Sequence, residues 1–190
     1  MIIGLVGLKT SGKTTIANYL VSNYGFIEYS IATPLKEIAK IFGFQHQDVY
    51  GSEEDKMKIH PILGISARTF LQKFGTEICR EHMSMILPDM KMGKYGIIWI
   101  HLLQQFLNSN KNKNIVISDV RFEDEANTIL EYSNALLLYI ERDNVLKTDT
   151  HKSELLFDKL SPSITIQNNT TINELFTKID KVILKGINNS

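Results

Sequence analysis

Gly7, Gly12, Lys13 and Thr14 stand in the order G-x-x-x-x-G-K-[ST]. That spacing brings together what a polyphosphate needs, and it fits the P-loop pattern. Gly7 and Gly12 let the backbone curl so that several N–H groups converge on one anion. Lys13 would reach the β- and γ-phosphates, and the Thr14 hydroxyl would ligate Mg²⁺. Lys9, Thr10 and Ser11 fill the loop and Thr15 follows it, which completes the candidate ATP-binding run. The bland alternative is a tight glycine turn with no ligand. The flanks argue against it. Ile2 to Val6 is an apolar run suited to a strand buried on both faces, and Thr15 to Val21 reads as a helix. A helix starting there aims its positive end at the loop.

Asp119, Arg121 and Glu125 form a second constellation. They follow the short apolar run Ile115 to Ser118, so an acid stands at the C-terminal end of a strand. Enzymes that hold Mg²⁺–triphosphate place an aspartate there. Ligands of open α/β sheets also gather at those ends. A plain salt bridge is the other reading.

Arg68, Gln72, Thr76 and Arg80 recur every four residues in a segment, Ser66 to Met85, that reads as one long helix with Ser66 as its cap. Their polar ridge could line a pocket for a phosphorylated base, or be an ordinary wet face. Phe70, Leu71, Phe74, Ile78 and Met85 supply the apolar stripe, and Gly75 interrupts it. Lys36 falls in the first turn of a helix expected to be capped by Thr33 with Pro34 behind it. A cation there opposes the helix dipole, so an anionic ligand or simple solvation would explain it.

Of 21 basic residues only four are arginine: Arg68, Arg80, Arg121 and Arg142. Lysine is the default cation. The arginines are therefore candidates for positions that need a planar, bidentate group.

Strands are expected near 25–30, 115–118, 135–140 and 163–167 besides the first, alternating with helices. This is a three-layer α/β fold with a parallel sheet of about five strands and the loop-bearing strand central. At 190 residues the chain should form one domain. Zero net charge speaks against a broad nucleic-acid face. No apolar run reaches a membrane span, and no leader is expected. Cys79 is the one cysteine, which suits a reducing interior. His46 and His60 have no partner at metal-ligand spacing.

Several blocks resemble the phage and viral deoxynucleoside monophosphate kinases, a branch of the P-loop nucleotide kinases. They are Gly7 to Thr14, Ala32-Thr33-Pro34-Leu35-Lys36, Leu71-Gln72-Lys73-Phe74-Gly75-Thr76-Glu77 with Arg80, Asp119 to Ala126, Arg142 after a strand, Asp149 to Glu154, and Asn168-Asn169. The resemblance implies ATP on the loop, with Mg²⁺ near Thr14 and Asp119. It implies a monophosphate-binding region over about 32–100. There Lys36, Arg68, Gln72, Thr76 and Arg80 would serve the acceptor, with Trp99 near its sugar or base. Asp119, Arg121 and Glu125 would hold the acceptor as well. Arg142 and a lid over about 142–154 would close on the triphosphate, and Asn168 and Asn169 would flank adenine. Lys13, Arg121 and Arg142 would neutralise the transferring group. The expected reaction is ATP-dependent conversion of deoxynucleoside monophosphates to diphosphates, supplying DNA precursors. It would take place in the cytoplasm, of a host cell if the source is viral. Family members are often dimers, so a homodimer is an option. Rival readings are a phosphomevalonate or dephospho-coenzyme A kinase, a regulatory nucleotide switch, and nucleotide binding without catalysis.

Overall fold

The computed structural model describes residues 1–92, 97–143 and 162–188, with side chains to 184. The chain divides into two compact units. One comprises Met1–Ser30 and Leu107–Ser190, and the other Ile31–Phe106.

The first unit is built on five parallel strands: β1 (Ile2–Val6), β2 (Ile27–Tyr29), β3 (Ile115–Ile117), β4 (Ala135–Glu141) and β5 (Ile164–Gln167). Their order across the sheet is β2-β3-β1-β4-β5, which puts β1 at the centre. Ile2 stands level with Ile115 on one side and Ala135 on the other. All five residues of β1 are buried, as an unbroken apolar run in a sheet covered on both faces requires. Helices α1 (Lys13–Tyr24) and, at the other end of the chain, α9 (Ile172–Asn188) bury Ile16, Leu20, Leu175, Ile179 and Ile183 against Ile3, Leu5, Val116 and Leu138. On the opposite face, Gly4 leaves room for Leu137, Ile129 of α8 (Glu123–Leu130) and Val120.

α1 and α9 are also joined by polar atoms. The hydroxyls of Tyr19 and Tyr24 both donate to Asp180 Oδ1, each at 2.7 Å, and Tyr19 stacks on Phe176. The hydrogen bond to Asp180, then burial, push the Tyr24 hydroxyl up to about 12 from 10.0. The neutral phenol is thus favoured in the folded state. This contribution to stability is complete below pH 10 and is lost as pH climbs toward 12. Thermal melts between pH 9 and 12 should fall less steeply for Asp180→Ala than for the unmodified chain. Equal slopes would exclude the linkage.

The second unit is helical: α2 (Thr33–Ile41), α3 (His46–Tyr50), α4 (Glu53–Met57), α5 (Ala67–Gln72), a π-helix (Lys73–His82), α6 (Met83–Ile86) and most of α7 (Ile98–Ser109). Phe42, Phe44, Phe70 and Phe74 form a cluster of rings with centroids 5.0–5.9 Å apart.

Three expectations change here. Ala32, not Thr33, occupies the cap of α2. Thr33 is already helical, with proline in the first turn, because Ala32 supplies the carbonyl that accepts the Lys36 N–H. His46–Tyr50 is helical inside residues 43–64, a polar stretch whose Gly43, Gly51, Pro61 and Gly64 predict irregular chain, and a reciprocal Gln45–Asp48 cap opens it. The long helix does start at Ser66, whose hydroxyl accepts the Thr69 N–H, but it does not stay α. Ten residues follow the wider π spiral, which carries more residues per turn. The buried positions move from Phe70 to Gly75, Thr76 and Cys79. Ile78 and Met85, expected on the stripe, are 44% and 74% exposed.

The widened turn has a visible anchor. Trp99 is buried on α7 and its indole N–H donates to the Gly75 carbonyl at 2.8 Å. Gly75 itself lies against Leu35 of α2, where a Cβ would come within 2.5 Å of a leucine methyl. Trp99→Phe removes the donor and with it the tie from α7 to the Gly75 carbonyl. Urea unfolding should show a loss of about 1–2 kcal/mol. Cys79 of the π-helix is buried, and burial pushes its thiol up to about 11, away from any nucleophilic role.

Candidate active site

β1 ends at Val6 and the chain turns at Gly7, whose φ is +146°. A side chain at Gly7 would collide with the Ile140 carbonyl of β4 and with Ser11 Oγ. Thr10 also takes a positive φ, +64°, and Gly12 closes the loop at +111° as the residue before α1. No side chain caps α1, and no acid lies in its first turn. A helix start of this kind turns its N–H groups and positive dipole end toward an anion.

Lys13 bends back over the loop. Its Nζ donates to the carbonyls of Gly7 at 2.7 Å and Leu8 at 2.8 Å. Ser11 is 1% exposed, and its Oγ has no partner among the described residues. Lys9, Thr10 and Thr14 are exposed and Thr15 is half-buried. Arg142, just past β4, donates from its guanidinium to the Thr10 carbonyl at 3.4 Å. Beyond β5, the Asn168 side-chain amide donates to the Ser11 carbonyl at 2.7 Å, and Asn169 Oδ1 accepts the Asp143 N–H at 2.8 Å.

β3 lies beside β1, and Asp119 stands just beyond its end. Asp119 Oδ2 accepts the Ser30 hydroxyl at 2.8 Å, from the end of β2. Burial and then the Asp119 charge push the Tyr29 phenol up to about 12. Glu125 is 3% exposed, and its Oε2 accepts the backbone N–H of Arg121 at 2.8 Å and of Phe122 at 3.1 Å. It is the acid of the third helical position reaching back to cap α8. Arg121 is half-buried, with its backbone fixed by that cap.

A hard-oxygen set of one threonine hydroxyl and one carboxylate suits Mg²⁺. Thr14, in the first turn of α1, and Asp119, beyond the end of β3, are groups of those two kinds. No group of three His, Cys, Asp or Glu side chains that could hold a metal occurs among the described residues. An ion carried on substrate phosphates needs only one or two protein oxygens.

In the helical unit, Arg68 pairs with Glu53 of α4 at 2.9 Å. Thr76 is buried, while Gln72 and Arg80 are half-buried. The π-helix begins at Lys73, so of these four Arg68 and Gln72 stand on α5 and Thr76 and Arg80 on the π spiral. Lys36 Nζ lies 4.6 Å from the centre of the Tyr50 ring. The lid expected over 142–154 falls, apart from Arg142 and Asp143, outside the described residues.

The family described as "Deoxynucleotide monophosphate kinase" matches residues 1–65 and 40–179. The "Putative deoxynucleotide monophosphate kinase" of Acanthamoeba polyphaga mimivirus is 36% identical over 182 residues, covering 94% of each chain. The chain belongs to the deoxynucleotide monophosphate kinase family. It is thus a nucleotide kinase, which phosphorylates deoxynucleoside monophosphates. Two solved structures share the kinase's fold. Shikimate kinase from Aquifex aeolicus vf5 matches with a TM-score of 0.54 at 13% identity, covering 100% of both chains. Dephospho-CoA kinase from Campylobacter jejuni matches with a TM-score of 0.51 at 15% identity, covering 100% of this chain and 98% of its own. At such identity the likeness is one of fold, so it gives no support to the dephospho-coenzyme A rival. No helix of the described residues is long and apolar enough to cross a membrane.

Sequence reasoning about this kinase passed over Ser30. Nothing in its neighbourhood marks it, because the pairing of β2 with β3 is what brings it to Asp119. Glu125 did carry a local signal, an acid three residues past a helix start, although Phe122 replaces the usual hydroxyl.

Proposed function

We propose that ATP is the donor and that the loop residues of the first unit hold its phosphates. The observation that carries this reading is Lys13, an ammonium held over the loop by two backbone carbonyls beside an uncapped helix start. A phosphate oxygen competes well for that cation, since a full charge replaces two carbonyl dipoles. Gly7, Lys9, Thr10, Ser11, Gly12, Thr14 and Thr15 line the donor phosphates. The loop N–H groups and those opening α1 take their oxygens.

The acceptor phosphate is already ionised near neutral pH, so no strong base is required. Catalysis is alignment together with neutralisation of charge on the transferring group. Lys13 does this from the loop, Arg142 from the end of β4, and Arg121 from the end of β3. Thr14 and Asp119 would hold Mg²⁺, which when bound would supply Lewis-acid charge to the donor phosphates. Ser30 orients Asp119 for that task, and Glu125 holds the Arg121 backbone. Arg80, Gln72, Thr76, Lys36 and Arg68 serve the acceptor nucleotide, with Trp99 shaping its binding region through the π-helix. Asn169 lies by the donor base. Residues 142–154 act as the lid, and the kinase works as a soluble enzyme, alone or as a homodimer.

The test is ADP release with ATP and a panel of dTMP, dGMP, dCMP and dAMP beside their ribose forms. Turnover that requires a deoxynucleoside monophosphate supports the reading. ATP hydrolysis indifferent to all of them would overturn it.

A further inference from the structure

Asn168 stands at the end of β5, where the resemblance would have it touch adenine. Its bonds point elsewhere. The backbone N–H donates to the Glu141 carbonyl at 2.7 Å, which pins the residue to the end of β4. From that fixed base the side-chain Nδ2 donates to the Ser11 carbonyl, also at 2.7 Å. The same nitrogen fills the space that a Cβ on Gly12 would need, at 2.5 Å from its ideal position. The Ser11–Gly12 peptide is therefore gripped on its carbonyl edge, and the φ of Gly12, +111°, is one that few other residues could take.

Peptide geometry turns this grip into a consequence. No cis bond occurs in the described chain. In a trans peptide the C=O and N–H lie on opposite edges of one plane. Holding the Ser11 carbonyl against Asn168 directs the Gly12 N–H to the other side, where it joins the N–H groups opening α1. A glycine peptide without such a tether can rotate at little cost, and a rotated peptide would offer a carbonyl where a phosphate needs a donor.

We infer that Asn168 is a positioning residue of the phosphate loop, holding the Ser11–Gly12 peptide with its N–H aimed at the donor phosphates. This inference rests on the kinase reading above. Asn168 acts through the backbone it holds and contributes nothing to reading the base.

Calorimetric binding of two probes separates this from an adenine contact. ATP carries a base, and inorganic tripolyphosphate does not. Asn168→Ala should weaken both by the same factor, roughly tenfold, the cost of one lost hydrogen bond. Asn168→Asp keeps the shape but replaces the donor with a second acceptor, and should weaken both at least as much. It also guards against the alanine variant failing to fold. The Gly12 amide resonance should shift on adding tripolyphosphate to the unmodified chain and stay nearly still in Asn168→Asp, a change that a general loss of stability would not produce. Weakened ATP binding with tripolyphosphate unaltered would make Asn168 a base contact and overturn the inference. Unaltered binding of both probes would overturn it too, and in neither case would the kinase reading be harmed. A wild-type chain that binds neither probe would remove both.

Discussion

Lys13→Ala should lower kcat by at least ~10²–10³-fold while the protein stays folded. The ammonium donates to the Gly7 and Leu8 carbonyls at the mouth of the loop, both backbone acceptors. Lys13 is not among the residues of the hydrophobic core of the first unit, and thermal unfolding should hardly move. In the proposed mechanism, what disappears is a charge needed on the β- and γ-phosphates as the bond to the leaving ADP stretches. Steady-state rates under saturating ATP, beside a melting curve, check this. Activity within a few-fold of the unmodified chain would remove Lys13 from the chemistry.

Arg121→Lys should also be damaging, although the charge is kept. The expected loss in kcat is roughly 10–100-fold, somewhat below that for deleting a transition-state donor outright. The Arg121 backbone is fixed by the buried carboxylate of Glu125, so its side chain leaves from a set point. A guanidinium from that point can make two parallel bonds to one phosphate, whereas an ammonium is a point charge on a flexible stem. In a chain that otherwise prefers lysine, an arginine here is informative. A near-normal rate for Arg121→Lys would defeat the bidentate argument, and the cap on Glu125 would then be the whole reason for the local structure.

The parts of the fold legible in the sequence are those with a strong local period or a rigid chemical demand. The apolar runs at Ile2–Val6, Ile115–Ile117 and Ala135–Ile140 read as core strands, and alternation with helices made them parallel. Gly7 and Gly12 announced the loop because positive φ is costly for most other residues. The π-helix was not legible. Its hydrogen-bond register is set by what packs on it, here Trp99 against the Gly75 carbonyl and Leu35 against Gly75, and no residue of the segment encodes it alone. Gly75 hinted at a close neighbour without saying which. The roles of Ser30 and Asn168 were hidden for a related reason. Each acts on a residue 89 or 157 positions away, and only the strand order brings them together.

That strand order also governs how the protein is made. β1 has no partner near it in sequence, because Ile2 stands level with Ile115 and with Ala135. On a ribosome adding ~5–20 residues per second, roughly 6–23 s pass between synthesis of β1 and of β3. Throughout that interval a five-residue strand, buried in its entirety in the finished sheet, waits with both edges open. Such a segment invites pairing with other nascent chains. Yield during rapid expression should therefore depend on chaperone supply and on temperature more than the finished protein's stability would suggest.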